Sequence, residues 1–135
     1  SRLFVLEKDK RTNRMEVRDT LNVSCSEMDI CGDSLYLYSV EWSNISQENN
    51  VTYGIIDVRT GELISNSFIK DGTETDIEIP YGLKVNPETG DVYVTDAKNY
   101  VSSGNLHCYG RDGIRKWSVR TGDIPAHMAF LYKNK

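Results

Sequence analysis

Apolar residues in this chain come in short runs, and no stretch holds a helical period. Leu3-Phe4-Val5-Leu6, Leu35-Tyr36-Leu37-Tyr38 and Val92-Tyr93-Val94 are rich in branched and aromatic residues, with Gly, Asn and Asp between the runs. The pattern predicts strands over 2–7, 14–18, 20–23, 26–31, 34–40, 52–58, 63–69, 81–85, 91–96, 105–109, 115–119 and 125–132. Runs such as Leu35-Tyr36-Leu37-Tyr38 are apolar at successive positions, so both faces need cover. Sheets stacked face to face supply it.

One segment recurs. Ile79-Pro80-Tyr81-Gly82-Leu83-Lys84-Val85 returns as Ile124-Pro125-Ala126-His127-Met128-Ala129-Phe130, with a weaker copy at Glu27-Met28-Asp29-Ile30. Repeats of roughly 40–50 residues built from short strands indicate a solenoid or a propeller. With four strands A to D per unit, the chain reads B-C-D, A-B-C-D, A-B-C-D, A. The units run approximately 1–25, 26–79 and 80–124, followed by a closing strand at 125–132. The expected fold is all-β: a single β-propeller fragment over 1–135, of about three four-stranded antiparallel blades. The first of these lacks its inner strand. Tight turns are predicted at Asn86-Pro87-Glu88-Thr89-Gly90, Arg59-Thr60-Gly61 and Arg111-Asp112-Gly113. Long polar loops are predicted at 41–51 and 97–104, carrying Trp42 and Tyr100.

The stretch Gly82-Leu83-Lys84-Val85-Asn86-Pro87-Glu88-Thr89-Gly90-Asp91-Val92-Tyr93-Val94-Thr95-Asp96 resembles the YVTN-type β-propeller repeat, with Asp96 where that repeat usually has Asn. The ending, Gly122-Asp123-Ile124-Pro125-Ala126-His127-Met128-Ala129-Phe130-Leu131, is similar to the C-terminus of bacterial cell-surface propellers of this group. The resemblance is specific over 82–96 and weak over 1–50, where the turn is shorter and lacks Pro. It implies a surface-layer-like propeller, exported and often lipid-anchored at the cell surface or outer membrane, on the extracellular side. It also implies that an outer-membrane transporter is a partner of some relatives. It carries over no catalytic set.

Composition narrows the chemistry. Net charge is −4 and no basic stripe is visible, which argues against nucleic acid. No apolar run approaches the roughly 18 residues of a membrane helix. Cys25, Cys31 and Cys108 are odd in number and read as separate thiols. Neither the scattered His and Cys residues nor the acidic run 71–76 has metal-ligand spacing, so no metal and no cofactor is expected. Trp117 reads as a packing residue between blades.

The candidate ligand-binding residues are Trp42, Tyr81, Tyr100, Lys98 and His127. Tyr81 and His127 lie near the starts of A strands, beside the pocket of a propeller. Trp42, Lys98 and Tyr100 lie on the long B-to-C loops, where aromatic side chains can stack on a ligand. The reading is a non-catalytic module that binds a small molecule, a glycan or a partner protein. Its alternative is a propeller enzyme, a quinoprotein or lactonase-like hydrolase with a channel metal. The A-strand starts offer Tyr81 and Ala126-His127, a poor ligand set for that chemistry. The unpaired A strand at one end and the missing one at the other lead to the expectation of a homodimer that completes a ring by strand exchange.

Overall fold

The computed structural model describes residues 2–133, which form an all-β chain with a single short 3₁₀ turn at Thr73–Asp76. β1 (Leu3–Lys8) and β2 (Met15–Leu21) pair as a two-stranded sheet. β3 (Glu27–Cys31), β4 (Ser34–Ser43), β5 (Glu48–Asp57) and β6 (Leu63–Ser65) form the second sheet, in chain order. β7 (Pro80–Val85), β8 (Val92–Asp96), β9 (Ser103–Tyr109) and β10 (Arg115–Asp123) form the third, also in chain order. All pairings are antiparallel, and the sheets stack in a propeller-like fragment that is not closed. No helix of the described residues is long and apolar enough to cross a membrane.

Stacking accounts for the two-sided apolar runs. Tyr36 and Tyr38 of β4 turn toward the third sheet and are buried with Tyr53, Leu83, Val85 and Val94. Leu35 and Leu37 turn the other way, where Leu37 and Ile56 meet Leu3 and Leu21 of the first sheet. Phe68 wedges into the seam between the second and third sheets, edge-on to Tyr36 at 5.8 Å and to Tyr53 at 5.4 Å. Burying a ring of this size contributes about 2 kcal/mol from area alone.

Four expectations need correction, each for a local reason. The strands expected at 14–18 and 20–23 are one strand, β2. Val5 pairs with Asp19 and Leu6 with Val17, so Arg18 is a bulge residue rather than a break. The first sheet therefore has two strands, and no strand lies on the open side of β1 among the described residues.

The loop expected at 41–51 is mostly ladder. β4 and β5 stay paired out to Ser43 and Glu48, and the turn is closed by the Gln47 N–H donating to the Ser43 carbonyl at 2.8 Å. Polar residues mark this ribbon because it projects past β3 into solvent on both faces.

The strand expected at 63–69 ends at Ser65. Ser65 Oγ accepts the Ser67 N–H at 3.3 Å, and Ser67 Oγ accepts the Ile69 N–H at 3.1 Å. Serine side chains thus replace the ladder and free the chain to aim Phe68 inward.

The closing strand expected at 125–132 pairs with no strand among the described residues. It lies across the outer face of the third sheet instead. Thr95 Oγ1 donates to the Pro125 carbonyl at 2.5 Å, and the Phe130 ring meets Tyr93 at 5.4 Å. Gly82 and Gly104 make room for it: a Cβ on Gly104 would lie 2.7 Å from the Pro125 ring. Trp117 is on the same face, 5.9 Å from Tyr93, and is 42% exposed.

A six-residue turn occurs three times. In 57–62 the Asp57 N–H donates to the Glu62 carbonyl at 2.9 Å, and the Gly61 N–H to the Asp57 carbonyl at 2.7 Å. The same bonds join Asp9, Arg14 and Asn13, and also Asn86, Asp91 and Gly90. The fifth residue is left-handed in each, at φ 61° for Asn13, 74° for Gly61 and 76° for Gly90. Asn tolerates that conformation better than other non-glycine residues.

Candidate functional site

The third sheet brings two of the predicted residues together. Pro80 at the start of β7 pairs with Asp96 at the end of β8, so Tyr81 stands beside the loop that follows β8. That loop, 97–102, returns Tyr100 against Tyr81. The rings meet edge-to-face at 5.8 Å and remain 38% and 46% exposed. This is a favourable geometry for an aromatic pair. It leaves π-surface in solvent.

Asp96 builds the loop. Its side chain is fully buried, and a buried carboxyl group needs partners. Oδ1 accepts the N–H of Ile79 at 3.0 Å and of Lys98 at 2.8 Å, and Oδ2 accepts the N–H of Glu78 at 3.2 Å. One carboxylate therefore ties the segment leading into Tyr81 to the loop carrying Tyr100. The Ala97 N–H adds a bond to the Ile79 carbonyl at 2.9 Å. Asn99 Oδ1 closes the far side by accepting from Val101 and Ser102.

The held backbone is strained. Lys98 has φ 50° and Tyr100 φ 66°, left-handed values that cost energy outside Gly. Strain of this kind persists only where the surroundings over-determine it. Here the buried carboxylate and the Ile79 carbonyl do so.

Tyr38 of β4 lies beneath the pair. Burial, and then Glu27, push its phenol well above the ordinary tyrosine range, so it remains a neutral hydroxyl. On the neighbouring ribbon Trp42 pairs across to Asn49 and is 61% exposed. It makes no ring contact with Tyr81 or Tyr100 among the described residues. His127 is exposed on the C-terminal segment, one residue beyond Ala126, whose carbonyl lies against Gly82. The structure thus joins Tyr81 and Tyr100 in one platform, sets the Lys98 backbone in the loop between them, and gives Trp42 and His127 places outside it.

Asp96, which stands where the resembling repeat usually has Asn, anchors the loop, a role its place in the repeat does not reveal. The available signal was the Asp itself, a side chain that accepts neighbouring backbone N–H groups at the end of a strand. The acidic run 71–76 is structural. Asp71 accepts from Thr73 and from the Arg115 N–H at 2.9 Å, and Asp76 pairs with the Arg115 guanidinium at 2.7 Å. Among the described residues no three His, Cys, Asp or Glu side chains converge as metal ligands. Comparison with family models and with curated proteins finds no match for this chain.

Proposed function

We propose that the chain is a non-catalytic binding module that takes a small molecule or glycan on the Tyr81–Tyr100 platform. The observation that carries this reading is the pair of left-handed residues, Lys98 bonded to the buried Asp96 and Tyr100 bonded through its N–H to the Ala97 carbonyl at 3.0 Å. A loop fixed at this cost keeps two aromatic faces exposed, a pre-organisation that favours binding. Sugars and flat ring systems stack on such faces. Placement at a cell surface, with a transporter or other protein partner, follows from the YVTN-type resemblance and belongs to the same proposal.

The test is a binding screen by saturation-transfer NMR, using a panel of mono- and oligosaccharides and small aromatic compounds. At least one compound is expected to bind, with a loss of about tenfold or more in Tyr100→Ala. Binding that Tyr100→Ala and Tyr81→Ala both leave intact, or no binding across the panel, overturns the reading.

A further inference from the structure

The stack of sheets is apolar at both ends. In β1, Leu3 turns toward the second sheet while Phe4 and Leu6 turn away, and Val17 and Met15 of β2 flank them. All four are more than half exposed: Phe4 56%, Leu6 53%, Met15 60% and Val17 58%. The third sheet presents Trp117 and Val119 at the opposite end, beside Tyr93 and Phe130. Two contiguous apolar faces on one small chain are a sign of interaction surfaces.

Strand edges are open at both ends too. Among the described residues β1 pairs with β2 along one edge only. Between this short sheet and the second one lies a groove of about 250 Å³, bounded by the β1 run Leu3 to Leu6 and Leu21 on one side and by Met28, Leu35, Ile56 and Val58 on the other. At the other end, the segment 125–132 touches the third sheet through Thr95 and Tyr93 and pairs with no strand among the described residues. Leu131 there is 96% exposed.

The two ends are complementary in kind. The segment repeats β7 position by position, with Ile124 to Phe130 matching Ile79 to Val85. β7 packs on the second sheet and also pairs with β8. The repeat packs on the third sheet and pairs with no strand among the described residues. β1 has an edge with no partner among the described residues, which suits strand-addition recognition.

We propose that a second copy of this chain is the occupant: segment 125–132 of each copy adds to the β1 edge of the other, and the third sheet of each packs on the first sheet of the other. The contact continues the sheet-on-sheet stacking that the chain already uses twice, between its first and second and its second and third sheets. A two-fold axis forms both contacts at once. This pairing does not depend on the Tyr81–Tyr100 platform.

Light scattering of the whole chain under reducing conditions tests it, the reductant removing disulfide dimers of the three free cysteines. The expected mass is twice 15.4 kDa, falling toward the monomer on dilution. Leu131→Asp alters a fully solvated side chain, and Leu6→Asp one that is 53% exposed, so both variants keep the fold. Each alone is expected to weaken the dimer about tenfold or more. Mixed together they regain one intact contact, the segment of the Leu6→Asp copy on the β1 edge of the Leu131→Asp copy, and dimer mass returns. A wild-type monomer at every concentration, dimers indifferent to both substitutions, or a mixture that stays monomeric each overturns the proposal.

Discussion

The buried Asp96 carboxylate accepts the Ile79 N–H at 3.0 Å, and this bond links the inner strand of the third sheet to the loop that carries Tyr100. The same oxygen takes the Lys98 N–H, so the carboxylate sets the spacing of the two tyrosines. Asp96→Ala strands three backbone donors and is expected to cost about 3 kcal/mol. Asp96→Asn retains one carbonyl oxygen for Ile79 and Lys98 and turns an amide toward Glu78, so it is expected to cost less. Urea unfolding of the two variants checks the order; an Asn variant as damaged as the Ala variant would show that charge, not accepting geometry, holds the loop.

Gly82 and Gly104 form the floor beneath the C-terminal segment. A Cβ at Gly104 meets first the Asp96 backbone carbonyl of β8 and then, at 2.7 Å, the Pro125 ring, and one at Gly82 meets the Ala126 carbonyl and, at 2.8 Å, Thr95 Oγ1. The backbone of the segment cannot yield without losing the Thr95–Pro125 bond. Gly104→Ala is expected to strain the end of the β8–β9 pairing at Asp96, to lift 125–132 off the sheet, to expose Tyr93, and to destabilise by about 1–3 kcal/mol. Limited proteolysis reads this directly, since cleavage at Phe130 and Tyr132 should quicken while the rest of the chain resists. Unchanged cleavage would mean the segment is not seated as described.

His107 makes stability depend on pH. It is buried in the seam, with Nδ1 2.6 Å from Ser118 Oγ and no partner for Nε2 among the described residues. Burial, then Arg115, lowers its pKa below the ordinary 6.5, with Lys98 acting in the same direction and Asp96 and Asp76 opposing. The folded state therefore binds its proton less readily than the unfolded state. Its contribution is fully present above pH 6.5 and is lost as pH falls below that value. His107→Gln is expected to flatten the pH dependence of the melting temperature just below pH 6.5, leaving the slope at more acidic pH to the carboxylates. An equally steep fall in the variant would assign the effect to other groups.

The sheets were legible because Leu35-Tyr36-Leu37-Tyr38 and Val92-Tyr93-Val94 demand cover on two sides, and only stacked sheets supply it. The strand ends were less so. Ser65 and Ser67 stop β6 through side-chain bonds that no apolar pattern reveals. The ribbon beyond Val40 reads as loop because its residues are polar, although its backbone ladder is complete. Asn13 hides a third copy of a turn that Gly61 and Gly90 announce. At the candidate site, Tyr81 and Tyr100 stood out as aromatics at strand and loop ends. Their contact depends on Asp96 reaching back across the sheet to Glu78 and Ile79, a long-range bond with no local signature.

The Tyr81–Tyr100 platform is the centre of the functional account, and amide chemical-shift mapping with the best compound from the screen tests it most directly. The account predicts shifts concentrated at Tyr81, at 97–102 and at the Glu78 and Ile79 amides held by Asp96, and their loss in Tyr100→Ala. Shifts confined to the β1 edge, the β4–β5 ribbon or the 125–132 segment, with Tyr81 and Tyr100 silent, would contradict it.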